Sequence, residues 1–145
     1  MLETHAFYHI KLVREGRATY REPVSAPAEA AAFFQQHLAQ STQEQFVALF
    51  LNARNVPLGW REISRGSVSA SIVHPRELFL PAIQLAASSL IVAHNHPSND
   101  PSPSKDDLEL TRRLVKAGEL LGIEVLDHLI VVDQDFLSLK EKGLM

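Results

Sequence analysis

The chain has 145 residues, 46% of them hydrophobic and 21% charged, with seven histidines and no cysteine. That length suits one domain with a real core, and the missing cysteines exclude disulfide scaffolds, thiolate nucleophiles and cysteine-containing zinc or iron–sulfur sites. The 14 Lys and Arg against 17 Asp and Glu give a net charge of −3, which supplies no strong drive toward nucleic acid or an anionic membrane.

Taken in chain order, the first element is a strand from about His5 to Val13, with a polar turn at Glu15, Gly16 and Arg17. Glu3, His5, His9 and Lys11 break up this stretch too often for a secretory leader. Pro27 and Glu29 mark a helix start, after which Ala30, Phe33, Phe34, His37 and Leu38 share one face. Phe46 to Leu51 and Leu58 to Ile63 read as a hairpin around Asn52 to Pro57. Ser67 to Val73 alternates as a half-buried strand would, and His74-Pro75 ends it. The helix that follows should break at Pro81 and resume through about Ser88.

Leu90 to Ala93 is a continuous apolar run, expected as a strand covered on both faces. The proline-rich stretch Pro97 to Pro103 excludes regular structure. Ser104 should cap a helix to about Leu121 that buries Leu110, Leu114, Ala117 and Leu121, with Gly122 as the C′ residue. Ile123 to Val132 and Phe136 to Leu139 are strands on either side of the Asp133-Gln134-Asp135 turn. Neither Leu90–Ala93 nor Leu129–Val132 can span a bilayer, so the expectation is a cytoplasmic, single α/β domain with a mixed sheet and no membrane partner.

The chemistry concentrates at His94-Asn95-His96-Pro97, where the buried strand ends. Residues two apart on a strand face the same way, so His94 and His96 can offer imidazole nitrogens to one ion while Asn95 points away. Asp107, in the first turn of the helix capped by Ser104, can face back toward them. Two histidines and one carboxylate leave a fourth tetrahedral position open, the pattern of a catalytic zinc site. At this composition a chance His-x-His arises roughly 0.3 times, but Ser104 and Asp107 at fixed offsets reduce that to roughly 0.001. Ser104-x-x-Asp107 is equally a capping arrangement, and the two roles are compatible.

The string His94-x-His96-x7-Ser104-x2-Asp107 with an upstream glutamate resembles the metalloprotease motif of the JAB/MPN superfamily. His94-Asn95-His96-Pro97-Ser98, Pro103-Ser104, Leu121-Gly122-Ile123 and Leu126-Asp127-His128 resemble bacterial RadC-like proteins more narrowly. The likeness runs from about Lys11 to Gly143, so residues 1–145 are expected to form one such domain, without the N-terminal helix–hairpin–helix region of longer RadC proteins. It implies a three-layer, cytidine-deaminase-like fold with a mostly antiparallel curved sheet flanked by helices. It also implies zinc held by His94, His96 and Asp107, with Ser104 supporting the water and oxyanion. The general acid/base falls on Glu44, since Gln43-Glu44-Gln45-Phe46 precedes the strand after the first helix. Without the resemblance, Glu44 reads as an ordinary solvated acid. Asn99 stands where the family often has glycine, and Asn tolerates positive φ best after glycine.

Asp127 and His128 are candidates to support the ligands from behind. The other histidines, His5, His9, His37 and His74, read as surface, packing or cap residues. Trp60 and the Arg65-Gly66-Ser67 turn could line a groove or be ordinary strand and turn residues. The expected function is hydrolysis of a peptide or isopeptide bond by a zinc-activated water, with a protein or peptide as partner. Two other readings stay open: a DNA-repair or mobile-element module acting through DNA or protein, and a metal-stabilised scaffold without catalysis. Direct nucleic-acid binding has no support from the charge, and a homodimer is left open. A zinc nucleobase deaminase is excluded because it needs cysteines.

Overall fold

The computed structural model describes residue 4 and residues 6–14, 16, 22–38, 40–68 and 72–145. Eight elements follow in order: α1 (Pro27–Leu38), β1 (Gln45–Leu51), β2 (Pro57–Arg65), α2 (Pro75–Gln84), β3 (Ser89–Asn95), α3 (Lys105–Leu121), β4 (Glu124–Val131) and β5 (Phe136–Ser138). The strands form one mixed sheet in the order β2-β1-β3-β4-β5, in which β3 and β4 are parallel and the other neighbours antiparallel. The expected α/β fold with a mostly antiparallel mixed sheet is borne out. Among the described residues no helix is long and apolar enough to cross a membrane.

Period-2 alternation sorts the sheet's side chains into two cores. Phe46, Ala48, Phe50, Leu90, Val92 and Val125 pack with Leu78 and Phe79 of α2 and Leu110 and Leu114 of α3. Val47, Leu49, Leu51, Ile91, Ala93, Leu129 and Val131 pack on the other face with Ala30, Phe33, Phe34 and Leu38 of α1. Helices on both faces leave every residue of β1 and β3 buried, which explains why those strands read as unbroken apolar runs.

Four expectations need correction. Residues 6–14 lie in no strand and are all exposed. Phe7 and Val13 sit on one parity and Tyr8, Ile10 and Leu12 on the other, so a strand here would have no single face to bury. His5, Glu15 and Arg17 lie outside the described residues. In the expected Ser67–Val73 strand, residues 67, 68, 72 and 73 are not extended-paired, and 69–71 lie outside the described set. Val68 gives its N–H to the Glu44 carboxylate (2.9 Å) instead of to a ladder.

Pro81 does not split α2, because it sits inside the helix with its ring buried beside Leu78 and Ala82. On α3 the buried line is Asp107, Leu110, Thr111, Leu114 and Gly118, whereas Ala117 is half-buried and Leu121 is exposed. The helical spacing is as expected, but it starts from a carboxylate and includes a threonine and a glycine, which a count of apolar residues passes over. Gly118 is required by contact: a Cβ there would collide with the Ile123 carbonyl.

Candidate metal centre

The loop from His96 to Ser104 returns the chain so that the N-terminus of α3 lies at the C-terminal end of β3. Ser104 has extended backbone (φ −82°, ψ 167°) and caps α3 reciprocally. Its Oγ accepts the Asp107 N–H (3.1 Å), and the Asp107 carboxylate accepts the Ser104 N–H (2.9 Å). The cap therefore fixes Asp107 in the first turn, buried, with its carboxylate beside the two histidines. At the other end Gly122 closes α3 in the left-handed region (φ 70°).

His94 is fully buried and His96 half-buried. Their Nε2 atoms lie 2.9 Å apart, each 3.3 Å from a different oxygen of Asp107. One ligand atom from each of the three residues falls within 4.8 Å of the others. His96 Nδ1 donates to the Asp100 carbonyl at 2.7 Å, leaving Nε2 as the nitrogen that faces the cluster. The Asp107 hydrogen bond raises the pKa of His96 against partial burial, with smaller help from the Asp100 carbonyl and from the Asp107 and Glu44 charges. The two imidazoles hold the Asp107 carboxyl well below the usual range despite its burial.

These residues fit a divalent ion. Three groups of the N and O types that zinc accepts converge on one point. Zinc bonds of about 2.0–2.1 Å at tetrahedral angles put ligand atoms about 3.3 Å apart, which matches both N···O separations, while the two Nε2 atoms at 2.9 Å are closer than that.

Behind His94 lies His128 of β4, also fully buried, with Nε2 2.7 Å from His94 Nδ1. Burial, and then the charge of neighbouring His94, push its pKa well down. The Thr111 hydroxyl, 2.6 Å from His128 Nδ1, donates to the Asp107 carbonyl at 2.7 Å. Asp127 is one residue earlier on β4 and belongs to the opposite face. There it accepts from the Ser138 hydroxyl (2.6 Å), the His128 N–H (2.7 Å) and the Lys140 N–H (3.2 Å). It is not brought to the cluster.

Glu44 lies one residue before β1, half-buried, with Oε2 on the Val68 N–H and its carbonyl on the Gly66 N–H (2.8 Å). Phe46, two residues on, is paired with His94 across the β1–β3 ladder. Where that ladder stops, the buried Asn95 side chain takes over: Oδ1 accepts the Gln45 N–H (2.7 Å) and Nδ2 donates to the Gln43 carbonyl (3.0 Å). Asn95 thus grips the backbone on both sides of Glu44.

Sequence reasoning named neither this grip nor Thr111. The second was findable, since Thr111 is one helical turn after Asp107 on the same face. The remaining described histidines stand apart. His9 is exposed, His37 packs against Trp60 and Phe33 at 4.5 Å between ring centroids, and His74 caps α2. Asn99 adopts φ 66° and accepts the Asp133 N–H.

Residues 24–144 match the RadC-like JAB domain. Among curated relatives, a UPF0758 protein of Geobacillus sp. (strain WCH70) is 47% identical over 132 residues, covering 90% of this chain and 58% of that protein. A UPF0758 protein of Bacillus cereus (strain G9842) is 49% identical over 123 residues, covering 85% and 55%. The chain spans a little over half the length of these relatives. On a match extending through both cores and every residue of the cluster, the chain belongs to the RadC-like JAB domain family.

Proposed function

We propose that this domain is a zinc-dependent hydrolase of amide bonds, of metallopeptidase or isopeptidase type. The observation that carries the reading is the convergence of buried His94 Nε2, half-buried His96 Nε2 and the buried Asp107 carboxylate, the last pre-set by the Ser104 cap. Zinc held by these three would supply a Lewis acid and lower the pKa of water from 15.7 to about 7. The chain's own groups do the rest. Glu44 has Oε2 committed to Val68, so Oε1 takes the proton from the attacking water and returns it to the leaving amine. Ser104 Oγ accepts from the Asp107 N–H, which leaves its hydroxyl hydrogen to donate to the developing oxyanion, an effect of roughly 3–4 kcal/mol for a well-placed donor. A protein or peptide substrate accords with the net charge of −3 better than nucleic acid does.

Metal analysis and a trapping variant test the proposal together. Purified protein should carry close to one zinc, and His94→Ala or Asp107→Asn should lose it. Glu44→Gln should keep the zinc, abolish hydrolysis and retain bound substrate in a pull-down. Folded protein that neither carries nor takes up zinc would overturn the reading.

A further inference from the structure

We infer that Thr111 and His128 form a one-way hydrogen-bond chain that fixes which nitrogen of His94 is offered to the metal. The direction follows from hydrogen counting. The Asp107 carbonyl can only accept, so the single hydroxyl hydrogen of Thr111 is committed to it at 2.7 Å. Thr111 Oγ1 must therefore accept from His128 Nδ1–H at 2.6 Å. His128 is fully buried and its ring partners are a hydroxyl and another imidazole, with no carboxylate among them to offset a charge, so it carries one ring hydrogen. With that hydrogen on Nδ1, Nε2 is a lone pair and accepts from His94 Nδ1–H at 2.7 Å. His94 is left with its lone pair on Nε2, the atom facing His96 and Asp107. The chain begins on one ligand, in β3, and ends on the backbone of another, in α3, so it also fixes the distance between the two elements. Thr111 and His128 are positioning residues; neither supplies one of the three atoms facing the ion.

This inference rests on the proposed metal site but does not need catalysis. Thr111→Val is nearly isosteric and removes both functions of the hydroxyl. His128 Nδ1–H then loses its acceptor, and the opposite tautomer would drive hydrogen onto His94 Nε2. Zinc affinity, measured by competition with a chromogenic chelator, should fall roughly 10–100-fold in Thr111→Val, the usual cost of losing support behind a ligand. Thr111→Ser keeps the oxygen and should keep wild-type affinity, and melting curves establish that both variants fold. Long-range ¹H–¹⁵N spectra of the imidazoles, in mildly alkaline buffer with and without zinc, should show His94 and His128 both carrying hydrogen on Nδ1.

Wild-type affinity in Thr111→Val would overturn the inference, as would equal losses in the serine and valine variants or hydrogen on His94 Nε2. If the wild type binds no zinc, the proposed function fails, while the tautomer spectra of the metal-free protein still decide the chain's direction.

Discussion

Asn95→Ala should separate the support of Glu44 from the support of the metal. Asn95 makes two hydrogen bonds, at 2.7 Å to the Gln45 N–H and 3.0 Å to the Gln43 carbonyl. Each contributes about 1 kcal/mol net, and the Gln45 N–H would be stranded in a buried residue at a further cost of about 1–3 kcal/mol. The expected loss is about 3–5 kcal/mol. For a domain of this size it lowers the melting temperature by roughly 6–20 °C and shifts a urea midpoint without changing the slope. Because Asn95 points to the opposite face from His94, the three ligand atoms keep their positions and zinc affinity should change less than twofold. Hydrolysis should fall sharply, since the backbone on either side of Glu44 is released. A stability loss below about 0.5 kcal/mol, or a tenfold loss of zinc affinity, would refute this reasoning, because the side chain would then be either idle or part of the metal site.

Three shorter predictions accompany it. Gly118→Ala should destabilise by about 1–3 kcal/mol in a urea titration, because the new Cβ meets the Ile123 carbonyl and α3 must move off β4. Asp127→Ala removes the acceptor for Ser138, His128 and Lys140 and should lower the melting temperature by at least as much as Asn95→Ala while leaving zinc stoichiometry unchanged. Stripping the protein with a chelator should lower the melting temperature, and zinc at about 1,000 times its dissociation constant should restore about 4 kcal/mol.

The sequence made the inner strands and α3 legible because pattern and environment agree there. Leu90 to Ala93 has no polar residue, and β3 is buried on both faces; Ser104 and Gly122 carry the cap chemistry at the two ends of α3. It misled where a local pattern had no partner to act on. The apolar residues between Phe7 and Val13 meet no strand among the described residues, and Val68 is held by a side chain, not a ladder. Pro81 departs from expectation because the rule against helical proline gives no weight to burial of its ring. The ligand triad was readable as spacing, whereas the placement of Asp127 and His128 on opposite faces follows from the pairing of β4 with β3, which no local motif specifies.

The cluster and the core are two ends of one pattern. On the face covered by α2 and α3, β3 contributes Leu90, Val92 and then His94, and α3 contributes Leu114, Leu110 and then Thr111 and Asp107. Both stripes change from apolar to polar at the same end of the sheet without any change in period. Burying an imidazole or carboxylate there is unfavourable unless its hydrogen-bonding groups are satisfied. The polar groups answer one another: His94 meets His128, His128 meets Thr111, and Thr111 meets the Asp107 carbonyl, which leaves only the three atoms that face inward. Those three atoms, within 4.8 Å of one another, are close enough to share one ion. The same helical and strand periodicities that build the hydrophobic core therefore also bring the three candidate ligands together.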